Sequence, residues 1–138
     1  MRSLHLLLLA VALTSLTACT DDPDLPTSGP LAVSASASGD EGDSALLEGR
    51  IAEKNGCVVV EQIEALQDDI VPILPAGARW SGEGLTYQGR TYAEGSMVSM
   101  GGGYYGPARS SSGLYLPATC VGIETFGAHE VTEYRDEP

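Results

Sequence analysis

The stretch Leu46-Leu47-Glu48-Gly49-Arg50-Ile51-Ala52-Glu53-Lys54-Asn55-Gly56-Cys57-Val58-Val59-Val60-Glu61-Gln62-Ile63 decides how the rest of the chain is read. Residues 46–53 read as one strand and 57–63 as the next. Asn55-Gly56 between them is the strongest short hairpin signal, because both central residues of that turn need positive φ. The second strand is β-branched and apolar enough to lie in a core. Working outward, Glu64 to Asp69 allows one helical turn. Ile70-Val71-Pro72-Ile73-Leu74 is apolar, with Pro72 placing it at an edge or bulge. Pro75-Ala76-Gly77 turns the chain toward Trp80. Residues 85–87 and 90–92 form a small hairpin around Gln88-Gly89, and 96–100 read as another strand. A Gly-rich loop then covers residues 101–119, and His129-Glu130-Val131-Thr132 reads as the last strand.

Short strands separated by turn signals, with no long amphipathic helix and no internal repeat, predict an all-β fold. The expected form is a small OB-like or SH3-like barrel of five or six short strands with one disulfide. It occupies residues 45–133, with a C-terminal tail at 134–138.

Upstream, the sequence changes character. Residues 20–44, TDDPDLPTSGPLAVSASASGDEGDS, carry no aromatic and no basic side chain. Such a segment buries too little apolar surface to offset its ordering entropy, so 19–44 is expected to be a disordered acidic tether. Before it, Met1-Arg2-Ser3 leads into an apolar run from Leu4 to Leu16. A positive start, an apolar stretch of this length and small residues at its end read as a secretory signal, residues 1–18. The run falls short of the roughly 20 apolar residues of a transmembrane helix.

The ending Leu16-Thr17-Ala18-Cys19 resembles the bacterial lipobox. That resemblance implies diacylglycerol, and with it palmitate-type acyl chains, on the Cys19 thiol, followed by cleavage before it. Two chains on one Cys meet the requirement for stable anchoring. The expected location is the extracytoplasmic side of the cell membrane.

Cleavage removes Arg2 and leaves six basic residues against nineteen acidic ones, a net charge of −13. A field of that sign repels phosphate backbones, so nucleic acid is not an expected partner. Cys57 and Cys120 remain, an even pair in an exported chain, which reads as a disulfide; no CxxC motif is present. A bridge closing about 60 residues is worth about 4 kcal/mol in the chain-entropy model.

Several of these residues together are similar to small exported lipoprotein domains of actinobacteria. The likeness runs through Gly56-Cys57-Val58-Val59-Val60, Leu74-Pro75-Ala76-Gly77, Gly89-Arg90-Thr91-Tyr92, Gly95 to Gly103, and Leu116-Pro117-Ala118-Thr119-Cys120. It implies an OB-like barrel and a bridge between Cys57 and Cys120, and it brings no catalytic residue. Where those domains often read Val-Trp-Pro-x-Gly, this chain reads Ile73-Leu74-Pro75-Ala76-Gly77.

Gly101 to Gly106 satisfies GxGxxG, but no helix pattern or βαβ unit follows, so the glycines are expected to serve a bulge rather than a dinucleotide. His129 is the only histidine after cleavage, and no GxSxG elbow accompanies it. The expected protein is a monomeric, non-enzymatic module without metal or cofactor. Its alternatives are an envelope hydrolase using His129 with a serine or carboxylate, and a small-ligand carrier. Aromatics in loops mark contact surfaces, so Trp80, Tyr104, Tyr105, Arg109 and Tyr115 are the candidate surface for a protein, peptide or glycan partner. For the anchor, Cys19→Ala is expected to release the protein from membranes or leave it unprocessed. Normal processing together with unchanged membrane fractionation would refute it.

Overall fold

The computed structural model describes residues 25–36, 44–64 and 67–136. The signal segment, Cys19 and the tether's residues 19–24 and 37–43 lie outside that range. So do residues 65–66, at the centre of the expected helical turn; Glu64 and residues 67–69 beside them are not helical.

The opening hairpin folds as read. A short strand β1 (Ala32–Ser34) precedes it; β2 spans Ala45–Lys54 and β3 spans Cys57–Gln62, paired antiparallel from Gly49↔Gln62 to Lys54↔Cys57. Asn55 and Gly56 turn the chain with φ of 52° and 79°, as a two-residue primed turn requires. The strands β4 (Val71–Pro75), β8 (Met97–Pro107) and β10 (Glu124–Glu133) complete a barrel in the order β3-β2-β8-β10-β4. Val60 and Ile70 exchange backbone hydrogen bonds of 2.7 and 3.1 Å, which close β4 back onto β3. Counted in chain order the five strands run 1-2-3-5-4-1. Only the third and fifth, β4 and β10, are parallel. This is the OB arrangement, and the fold is all-β with one disulfide.

Pro72 sits inside this sheet, not at its edge, and the ladder shows why it is tolerated. Alternate residues of a strand direct their N–H groups to opposite sides. Ile70 bonds toward β3, and Ala76 donates to Ser34 on the same side, 2.9 Å. Pro72 faces that side too, where β4 changes partner from β3 to the next strand, so its missing donor falls in the gap.

That next strand is β1, Ala32–Ser34, which pairs parallel with β4 through Ala32↔Ile73 to Ser34↔Pro75. Leu31, Ala32 and Val33 are fully buried and Leu25 packs on the core. The ordered domain therefore includes residues 25–36, which composition had assigned to a disordered tether. Local backbone bonds hold them: Val58 N–H donates to the Pro30 carbonyl and Ala35 N–H to that of Gly113, each at 2.8 Å. The apolar triplet Leu31-Ala32-Val33, hidden in a Ser- and Ala-rich stretch, supplies the burial that the average composition lacks.

Between β4 and β8 a three-stranded sheet intervenes: β5 (Arg79–Ser81), β6 (Gly84–Tyr87) and β7 (Arg90–Tyr92). Gln88-Gly89 joins β6 to β7 in a primed turn like that at Asn55-Gly56, with φ of 49° and 76°. Two tyrosines fasten this sheet to the barrel. Tyr92 Oη donates to the Val131 carbonyl at 2.8 Å, and Tyr87 Oη to that of His129 at 3.0 Å. Burial pushes the Tyr87 hydroxyl above its ordinary pKa. With β9 (Leu114–Tyr115) paired to β1, the described residues hold ten strands rather than five or six. The surplus is strands of two to four residues, too short to show a period.

The barrel interior is filled by Leu47, Ile51, Val58, Val60, Leu74, Leu85, Val98, Met100 and Phe126, all at or below 1 % exposure. If residues 25–36 are part of this core, Leu31→Ala lowers unfolding free energy by about 2–5 kcal/mol. Denaturant unfolding measures it; an unchanged midpoint would return the segment to the tether.

Candidate functional site

In barrels of this topology ligands lie across the second and third strands, between the loops joining strands 1–2 and 4–5. Here those strands are β3 and β4, and those loops are Asn55-Gly56 and residues 108–123. The run Cys57-Val58-Val59-Val60 explains what happens to that face. Val58 and Val60 point inward, Cys57 and Val59 outward, yet all four are buried. A continuous apolar run is the mark of a strand covered on both faces.

The cover is the chain itself. Cys57, Val59, Val71, Cys120 and Ala32 form a second cluster outside the barrel, joined by Ile73, Leu116 and Ile123. Cys57 and Cys120 are disulfide-bonded with Cα atoms 5.3 Å apart. The bridge pins the 108–123 connection to the start of β3, beside a 3-10 turn at Ala118–Cys120. The usual ligand face is closed.

What remains open is a cleft of about 590 Å³ beside that cover. Ile73, Thr125 and Gly127 contribute from β4 and β10, Ser34, Ser36 and Leu114 from the β1–β9 side, and Tyr105 and Pro107 from the end of β8. Residues Ala108 to Ser112 complete the lining. Thr125, the buried polar side chain of this set, donates from Oγ1 to the Gly106 carbonyl at 2.7 Å. The remaining hydroxyls are those of five serines and the Tyr105 phenol. Arg109 is the one charged residue among those lining the cleft, is exposed, and makes no ion pair among the described residues. The cleft thus offers hydroxyls, one cation, an aromatic ring and the apolar side chains of Ile73, Pro107, Ala108 and Leu114. That lining is chemically complementary to an apolar or ring face carrying an anionic group.

The first seven residues of the expected Gly-rich loop, 101–107, are strand. β8 continues through Gly101-Gly102-Gly103 to Pro107, paired with β10 along its length. A Cβ on Gly102 would run into the Gly127 carbonyl and reach the Phe126 ring, so close backbone approach is what glycine serves there. Register shifts between Thr125 and Phe126 and between Ala128 and Glu130 mark bulges in this ladder. The GxGxxG match lies in this paired strand and leads into no helix.

The five candidate contact residues do not share one surface. Tyr105 and Arg109 meet in the cleft. Tyr104 turns the other way and sets its ring edge-on to Phe126, centroids 4.9 Å apart. Tyr115 is half-buried and donates from Oη to the Gly29 carbonyl at 2.6 Å. Trp80 is also half-buried, donates from Nε1 to Glu53 Oε2 at 2.9 Å, and lines a different, smaller cavity. His129 is exposed, with its ring near Gly101, and does not line the cleft that holds Ser110 to Ser112. Ser34, Ser36, Ile73 and Leu114 were missed by sequence reasoning. The only signal was the apolar triplet before Ser34, which places that strand in the sheet.

Among the described residues no three His, Cys, Asp or Glu side chains come together as a metal site, and no helix is long and apolar enough to cross a membrane. No protein-family model, curated protein or solved structure matches the chain.

The two adjacent tyrosines should separate in their effects. Tyr104 and Tyr105 are similarly exposed, 48 % and 53 %, but Tyr104→Ala also removes the edge-on contact with the buried Phe126 ring and is expected to cost about 1 kcal/mol more than Tyr105→Ala. Urea unfolding of both variants checks this, and equal losses would show that the Phe126 contact contributes nothing.

Proposed function

We propose that the mature chain is a non-enzymatic binding module, held on the extracytoplasmic side of the membrane by lipid on Cys19, and that the Tyr105–Arg109 cleft takes its partner. The partner class is a protein, peptide or glycan of the envelope. It presents an apolar or ring surface to Tyr105, Ile73 and Leu114 and an anionic group to the Arg109 guanidinium.

The observation that carries this reading is the closure of the β3–β4 face by the chain's own disulfide-pinned layer, with an Arg-bearing cleft left beside it. A barrel that binds along its ordinary face leaves that face bare. The same closure, with the net charge of −13, speaks against nucleic acid. A filled barrel interior favours a surface cleft over a carrier that encloses its ligand. For a hydrolase, a base must reach the nucleophile, and His129 stands away from the cleft serines.

The test uses mature domain as bait in envelope extract, with parent, Tyr105→Ala and Arg109→Ala compared at equal loading. Each substitution is expected to weaken capture of the same partner about tenfold or more, equivalent to about 1.4 kcal/mol. Melting temperature should stay near the parent's. Capture that survives both changes removes the cleft from the interface.

A further inference from the structure

The structure moves the start of the folded domain, and with it the distance between the barrel and the lipid. This inference rests on the anchoring of Cys19 proposed above. Leu25 already packs on the main core. From there the segment is fastened by the Tyr115–Gly29 bond, the Val58–Pro30 bond and the pairing of β1 with β4. Between Cys19 and Leu25 stand only Thr20, Asp21, Asp22, Pro23 and Asp24. Six peptide steps, however arranged, reach no farther than about 20 Å. A tether running to Ala45 would have reached roughly 90 Å.

The site of departure is also defined. Pro26, next to Leu25, lines one small cavity with Arg79 and Trp80. Leu25 and Trp80 both pack on the core as half-buried apolar side chains. Tryptophan and arginine suit a membrane–water boundary, the ring amphipathic and the guanidinium on a long apolar stem. We infer that the anchor holds this barrel close against the bilayer, with its Leu25–Arg79–Trp80 end toward the lipid head groups.

Charge does not draw it there. A domain whose residues 25–138 carry six basic and sixteen acidic side chains, net charge −10, is repelled by anionic lipid, and that repulsion fades beyond about 8 Å at physiological ionic strength. The short linker imposes the apposition, so it is independent of salt and needs no anionic lipid.

Trp80 is the single tryptophan of the chain, so its emission reports on this end alone. The acylated mature protein, beginning at Cys19, is reconstituted into phosphatidylcholine vesicles carrying dansyl-labelled head groups, and energy transfer from Trp80 is recorded. Transfer is expected in the parent, equally in low and high salt. A Gly/Ser spacer of about 25 residues inserted between Asp24 and Leu25 adds roughly 25–30 Å of reach and should reduce transfer severalfold. Equal transfer from parent and spacer variant overturns the proposal, as does vesicle-bound parent without transfer. Protein that fails to float with the vesicles overturns the anchoring itself, which separates the two failures. Transfer from unacylated protein that begins at Thr20, and so lacks both the lipid and the apolar signal segment, would show that the barrel binds lipid unaided and overturn the role of the linker.

Discussion

The bond between Cys57 and Cys120 joins two layers that would otherwise have little reason to stay together. The inner layer is an ordinary five-strand barrel core around Phe126, Leu47 and Met100. The outer layer is small: Ala32, Val59, Val71 and the two half-cystines, with Ile73, Leu116 and Ile123 at its margin. A cluster of that size is weak against the ordering entropy of the 108–123 connection. Closing a 63-residue separation contributes about 4 kcal/mol in the chain-entropy model. Net stability for a domain of this length is only about 5–15 kcal/mol. The bridge is therefore a large share of what keeps the connection seated, and the cleft is walled by that connection.

Local signals were the ones the sequence carried clearly. Asn55-Gly56 and Gln88-Gly89 each dictate a backbone conformation that few other pairs adopt, and both hairpins follow. The pair Cys57 and Cys120 was legible because export and even number leave few alternatives. Residues 31–33 were not, because averaging over a Ser-, Ala- and Asp-rich window masks three apolar residues that find a partner forty positions away in β4. The glycines of β8 misled for a related reason. Glycine is a poor strand former in isolation, but Gly102 is required by its approach to Gly127, a constraint set entirely by long-range pairing.

The site was legible only in fragments. Tyr105 and Arg109 stood out as an aromatic and a cation in a polar run. Their neighbours did not, because Ser34, Ile73, Leu114 and Thr125 come from β1, β4, β9 and β10 and share no spacing. Trp80, Tyr104 and Tyr115 looked equivalent to Tyr105 in sequence, but they do not line the cleft. They contact Glu53, the Phe126 ring and the Gly29 carbonyl. An aromatic in a turn-rich segment signals contact, but the contact is as often with the chain's own remote strand as with a partner.

The charge pattern restricts the cleft further. Arg109 is a lone guanidinium in the cleft of a chain whose net charge is −12. A strongly anionic ligand meets net repulsion as it approaches and gains attraction only on contact, where a charge-assisted hydrogen bond forms over about 3 Å. A ligand near neutrality overall, with one local carboxylate or similar group, escapes the long-range repulsion and keeps the contact. With a screening length of about 8 Å, the difference lies in the encounter rate more than in the bound complex. In the binding role proposed for the cleft, the acidic surface and the single arginine would act together as a filter: the first keeps polyanions at a distance, and the second holds a lone anionic group once it arrives.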